Sequence, residues 1–119
     1  MLKKISFSEK FASFSEPWQP KIVGEINDTH VKVVKLEGEF VWHSHEHEDE
    51  MFIVVKGKLT IKFRDQDVHL SEGEALVIPK GIEHQPVAED EVYAILIEPS
   101  TTVNTGNLTN ERTYIPPKI

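Results

Sequence analysis

The sequence predicts an all-β fold, a small sandwich or barrel, from three observations. Short apolar runs rich in β-branched residues follow one another from Ile22 to Glu98. Turn residues interrupt them about every eight to twelve positions. No helical segment is long enough to serve as the crossover of a parallel sheet.

Residues 1–21 read as an arm. Phe7, Phe11, Phe14 and Trp18 recur at intervals of three and four, the spacing of a short helix from about Ser8 to Phe14, closed by Pro17 and Pro20. Such an arm packs on the body of the fold, packs on a second subunit or lies as a lid over a pocket. Each arrangement buries Trp18. VKVVKL (31–36) is a β-branched strand ending at Gly38. EFVWHSH (39–45) alternates, which puts Val41, His43 and His45 on one face and Phe40 and Trp42 on the other, toward a second layer or a subunit contact.

EMFIVVKG (50–57) is a dense apolar run that suits a strand buried on both faces, stopped by Gly57. KLTIKFR (58–64) alternates, with Leu59, Ile61 and Phe63 inward and Lys58, Thr60, Lys62 and Arg64 outward, as in an antiparallel sheet with one wet face. Arg64, Asp65, Gln66 and Asp67 form a hairpin turn leading to VHL (68–70). A strand at 75–78 lies between Gly73 and Pro79, and VYAILIE (92–98) is a last strand stopped by Pro99. The polar residues 100–119 read as a coil or short strand across the surface, anchored by Tyr114 and Ile115. With no internal repeat, the expected organisation is one domain over 1–119: arm 1–21, strand-rich body 22–99, tail 100–119.

A chain of 119 residues can bury one hydrophobic core. The absence of cysteine excludes disulfides and thiolate ligands, so any metal must be held by nitrogen and oxygen. No apolar run reaches the length of a signal-peptide core or a membrane span, and the expectation is a cytoplasmic protein with no membrane partner. A formal charge of -7 with scattered lysines argues against a nucleic-acid partner.

The chemistry concentrates in WHSHEHEDE (42–50), where three histidines occupy every second position. On a strand they share a face about 6.5–7 Å apart, close enough for two imidazoles to lean toward one ion. Imidazoles are costly as plain core, because both ring nitrogens need partners, although on a solvated strand face they need no special account.

These residues resemble the cupin superfamily. Its first motif, commonly G(X)5HXH(X)3-4E(X)6G, is matched by His43, His45, Glu50 and Gly57, with Gly38 one residue closer to His43 than the pattern asks. Its second, commonly G(X)5PXG(X)2H(X)3N, is matched by Gly73, Pro79, Gly81 and His84, with Ala88 where the closing Asn, a structural residue, would stand. The resemblance implies a small double-stranded β-helix, or jelly-roll, barrel, and it implies that His43, His45, Glu50 and His84 are metal ligands. Three imidazoles and a carboxylate suit one divalent transition metal, Fe, Mn, Ni, Co or Zn, rather than Ca. An octahedral ion so held keeps two positions open.

His47 has the strand parity of His43 and His45 but no place in the motif, and is expected at the pocket rim or in solvent. Glu48 and Asp49 read as a charged turn, and His30 and His69 as surface residues. Phe52 and Val54 share the parity of Glu50 and are expected to line the same cavity, giving an ion at the floor and apolar walls around a small organic molecule.

Two classes of function follow. One is a metal-dependent enzyme on a small organic substrate, either a dioxygenase or an isomerase resembling the cupin portion of sugar-phosphate isomerases. The outward parity of Lys58, Lys62 and Arg64 argues against a phosphorylated sugar. The other is a non-catalytic ligand-binding or sensor domain whose metal positions a ligand. A barrel without metal leaves four ligand-capable residues unexplained. The resemblance also implies a homodimer, formed through the N-terminal arm or the Phe40/Trp42 face.

Overall fold

The computed structural model describes residues 2–119. Helix α1 (Phe7–Ala12) is capped by Ser6, whose hydroxyl accepts the Glu9 N–H at 3.3 Å. It ends at Ser13, whose N–H and hydroxyl both turn back to the Lys10 carbonyl, before either proline is reached. Phe11, the buried residue of this helix, stacks on Tyr93 with centroids 4.7 Å apart. The arm therefore packs on the body of its own chain. Lys35 fastens it further, donating to the Phe14 carbonyl at 2.6 Å and lying over the Phe14 and Tyr93 rings.

Seven strands follow: β1 (Lys21–Ile26), β2 (Thr29–Glu39), β3 (Glu50–Lys56), β4 (Leu59–Phe63), β5 (Asp67–Leu70), β6 (Ala75–Ile78) and β7 (His84–Pro99). The β1–β2 hairpin turns through Asn27 and Asp28, with Asn27 at φ 53, a conformation asparagine tolerates. β7 organises the sheet. Its sixteen residues run antiparallel to β2 from Glu39↔Val87 to Thr29↔Pro99. On its other edge it pairs β3 over Tyr93–Ile97 and β4 over His84–Val87. β6 adds to β3, and β5 to β4.

The expected barrel is not what forms. All seven strands belong to one sheet, whose main path runs β1-β2-β7-β3-β6 with β4 and β5 branching from β7, and among the described residues no pairing joins its outer strands into a closed cylinder. One physical reason lies in residues 39–45, expected as a strand. Beyond Glu39 this segment makes a single isolated bridge, His43↔His84, and no ladder. The backbone that would have closed that side serves as a loop carrying histidines.

The core lies on one surface of this sheet. Alternation along β7 sends Val92, Ala94 and Leu96 inward to meet Val34 and Leu36 of β2 and Phe52 and Val54 of β3, all nearly inaccessible. Leu59 and Ile61 of β4 complete it, with the inward parity expected for them. Gly57 turns β3 into β4 at φ +91, where a Cβ would press on the Glu91 carbonyl at 2.9 Å.

The tail does more than cross the surface. Ile22 receives it in a parallel bridge to Lys118, with Ile22 N–H donating to Pro117 O at 2.8 Å and Ile119 N–H to Ile22 O at 3.0 Å. Tyr114 is anchored as expected, accepting from Lys21 Nζ at 3.0 Å. Ile115, the other expected anchor, is 91% exposed. Among the described residues no helix is long and apolar enough to cross a membrane.

Candidate metal centre

His43 and His45 lie on the loop between β2 and β3, Glu50 opens β3 and His84 opens β7. The fold brings all four together and buries each. The imidazoles of His43, His45 and His84 each offer a nitrogen, and these atoms lie within 4.8 Å of one another. Glu50 Oε1 stands 3.6 Å from His45 Nε2 and 3.4 Å from His84 Nε2.

Hydrogen bonds decide which ring nitrogens are free. His43 Nδ1 is 2.8 Å from Val41 O and His84 Nδ1 is 2.9 Å from Ile82 O. A carbonyl can only accept, so each Nδ1 carries the proton and each Nε2 presents a lone pair. His84 Nε2, both ring nitrogens of His45 and Glu50 Oε1 are buried without a hydrogen-bond partner. Buried polar atoms are seldom left so. Two ligand atoms each about 2.0–2.2 Å from one ion, at angles between octahedral and tetrahedral, stand about 2.8–3.6 Å apart. The Glu50 separations are of that size, and nitrogen and carboxylate oxygen are the donors a divalent transition ion takes. The tri-histidine cluster is thus capable of coordinating such an ion.

The electrostatics agree. Burial, together with the nearby His84, lowers the His43 pKa to about 4, so the ring is neutral and ready to ligate at neutral pH. Burial opposes ionisation of Glu50, but the Glu98, His45 and His84 side chains beside it outweigh burial and hold its carboxyl well below the ordinary range.

Beside the cluster opens a cavity of about 30 Å³, lined by His43, Glu50 and Glu98 and walled by Phe40, Phe52 and Leu96. Phe52 lines it as its parity predicts, whereas Val54 is fully buried in the core below. Phe40 departs from the expected orientation. It faces the site, edge-on to His43 at 5.4 Å, because residues 40–49 do not keep strand alternation. Trp18 of the arm stacks on Phe40 at 4.9 Å and joins the lining, its indole N–H held by Glu37 O at 2.8 Å. Trp42 instead packs under the guanidinium of Arg64, 3.8 Å away.

His47 is exposed, with its Nε2 3.9 Å from Glu46 Oε2, and is not part of the cluster. Asp49 and Glu48 fasten the loop: Asp49 Oδ1 accepts Lys80 N–H at 2.9 Å, and Glu48 Oε2 accepts the Thr101 hydroxyl at 2.9 Å. His69, exposed as expected, bonds the Thr60 hydroxyl at 2.9 Å.

Two parts of the site escaped sequence reasoning. Glu98, read only as the end of a strand, is buried at the cavity with Lys32 Nζ 2.8 Å from its Oε1. The inward parity of Glu98 along VYAILIE was the signal. The second is the tail segment at Gly106 and Asn107. Asn107 grips Ser44 through Ser44 N–H to its Oδ1 and its own N–H to Ser44 O, both at 2.9 Å, and so braces the loop between His43 and His45. The Asn-Thr-Gly-Asn turn residues at 104–107 were the available sign.

Comparison with known proteins gives a consistent family picture. The family model described as Cupin domain matches residues 30–99. The uncharacterized protein YdbB of Bacillus subtilis (strain 168) is 40% identical over 78 residues, 65% of this chain, and the match spans 63% of the length of that curated relative. The crystal structure of a cupin-2 domain containing protein from Shewanella frigidimarina NCIMB 400 is 52% identical, with TM-score 0.79 over 80% of this chain and 93% of that one. Protein NMB1881 from Neisseria meningitidis is 32% identical, with TM-score 0.76 over 82% of this chain and all of the other.

Proposed function

The chain belongs to the cupin family, and from that premise we propose that it binds one divalent transition metal through His43, His45, Glu50 and His84 and presents it to a small organic molecule in the adjoining cavity. The observation that carries this reading is the set of unpartnered buried donors, His45 Nε2, His84 Nε2 and Glu50 Oε1, aimed at one point. A bound ion would supply Lewis acidity and open coordination positions at the cavity floor. The chain's own residues do the rest. Val41 O and Ile82 O hold the imidazoles with Nε2 inward, and Phe40, Phe52 and Leu96 give the ligand apolar walls and keep bulk water out.

Among enzyme chemistries, oxygen-dependent oxidation suits the cavity better than isomerisation of a phosphorylated sugar. No Lys or Arg lines it: Lys32 is engaged by Glu98, and Arg112, which is not part of the lining, stands over the Phe40 ring 5.5 Å from its centroid. A carboxylate and an aromatic wall would repel a phosphate. Elemental analysis of untagged protein purified without chelator, followed by anaerobic reconstitution with Fe, Mn, Ni, Co or Zn and oxygen-uptake assays on enolisable and catechol-like compounds, tests the proposal. Binding of about one equivalent with oxygen uptake supports it. Metal binding with ligand-induced thermal shifts but no turnover identifies a sensor or carrier instead. Failure to take up any of the five metals overturns it.

A further inference from the structure

Glu98 is the buried acid that metal binding leaves unused. It is 3% exposed, its Oε1 is held by Lys32 Nζ at 2.8 Å, and its Oε2 is buried with no hydrogen-bond partner. It lines the same cavity as His43 and Glu50. Leaving such an oxygen unpaired is costly, and a packed site retains the arrangement where a bound molecule completes it. We propose that Glu98 is a ligand-recognition residue: its Oε2 hydrogen-bonds a hydroxyl of the bound molecule, while a neighbouring oxygen of that molecule faces the metal. The inference rests on the metal-binding reading above and adds the class of ligand, a small neutral compound with a hydroxyl beside a carbonyl or second hydroxyl.

Three features restrict the ligand to that class. The cavity of about 30 Å³ has room for a group the size of a water or hydroxyl, so the polar end enters and the remainder lies toward Phe40 and Trp18. Two carboxyls line the cavity and no Lys or Arg does, which disfavours an anionic group at this point. A hydroxyl also suits a carboxyl oxygen in this position because it can both donate and accept a hydrogen bond. Lys32 acts through Glu98 as a positioning residue, fixing the carboxyl plane.

The test uses cobalt(II)-loaded full-length protein, whose visible absorption reports on the ion's surroundings, titrated with hydroxyacetone and with fluoroacetone. Fluorine has nearly the size of the hydroxyl but neither donates nor accepts usefully. The comparison variant is K32M/E98L, which removes the pair together and so leaves no buried lone charge; thermal unfolding confirms that it folds. The expected result is that hydroxyacetone perturbs the wild-type spectrum at about tenfold lower concentration than fluoroacetone. In the variant, which still binds cobalt, the ratio falls to about one. With cobalt bound, equal potency of the two ketones, no response to either, or a preference that survives in the variant overturns the role of Glu98 and leaves the metal reading standing. Failure of the wild type to bind cobalt overturns the metal reading, and this inference with it.

Discussion

His43 and His84 hold each other by the backbone as well as facing each other by side chain. His43 N–H donates to His84 O at 3.0 Å, His84 N–H donates to His43 O at 2.9 Å, and the two ring centroids are 4.4 Å apart. A pair of reciprocal hydrogen bonds is the smallest unit of an antiparallel ladder, and here it is the only bridge the histidine loop makes. The relative placement of these two imidazoles is thereby set by main chain, before any ion is present.

Replacing His84 by Ala should consequently remove metal without unfolding the sheet. The backbone bridge needs no side chain, whereas the lost Nε2 is one donor of the cluster. Elemental analysis is expected to fall from about one equivalent to near zero, with the far-ultraviolet circular dichroism unchanged. Retention of the metal at parental affinity would contradict the ligand set.

Stability of the metal-free protein should depend on pH through His43. Its folded pKa is lowered to about 4, by burial first and then by His84, against about 6.5 when unfolded. The unfolded chain therefore binds more protons between these values, so this stabilisation is fully present above about pH 6.5 and lost as pH falls to about 4. Roughly 3 kcal/mol is at stake by linkage. Urea unfolding at intervals from pH 7.5 to 4 checks it, and a midpoint that stays flat across the window would refute it.

The tail brace can be tested at Gly106. This residue sits at φ +58, and a Cβ there would run into the Ser44 carbonyl while standing 3.2 Å from His43 Cδ2. Gly106→Ala is expected to cost roughly 2–3 kcal/mol in thermal or urea unfolding and to weaken metal binding, because the loop carrying His43 must shift. An effect on stability alone, with metal affinity intact, would show that the tail does not brace the site.

The Lys32–Glu98 pair should be strongly non-additive. Both side chains are 3% exposed, and burial with Glu50 nearby holds the Glu98 carboxyl well above the ordinary range, so Lys32→Met leaves a buried carboxyl without its donor rather than a lone charge and should destabilise the fold by about 1–3 kcal/mol. The double variant K32M/E98L should recover most of that loss, since an apolar pair of similar volume replaces the buried polar pair. Additive losses in a double-mutant cycle would argue that the two do not act as a unit.

Much of this architecture was legible locally. Alternation in KLTIKFR placed Leu59 and Ile61 inward, and the resemblance of two motifs to the cupin pattern pointed to His43, His45, Glu50 and His84, which the fold then gathers. The short helix was readable too, although Ser13 rather than Pro17 ends it. Local pattern failed where a residue's direction depends on distant partners. Phe40 and Trp42 were placed by strand parity, but the chain there forms no continuous ladder with β7, being held by Phe40 N–H to Pro86 O at 3.0 Å and the His43–His84 bridge, so Phe40 faces His43 and Trp42 lies beneath Arg64.

By itself the sequence determined the all-β class and the place of most strands, because side-chain periodicity and turn residues act between near neighbours; it did not determine that residues 40–49 form a loop. It also determined the donor chemistry of the cluster, since nitrogen and oxygen ligands depend only on residue type. The tertiary structure alone decided that the sheet stays open, because closure depends on which distant edges find ladder partners and the histidine loop finds one bridge. It decided that Glu98 enters the site with Lys32 on its far oxygen, and that the tail grips Ser44. Those contacts join residues more than sixty positions apart, beyond the reach of any local pattern.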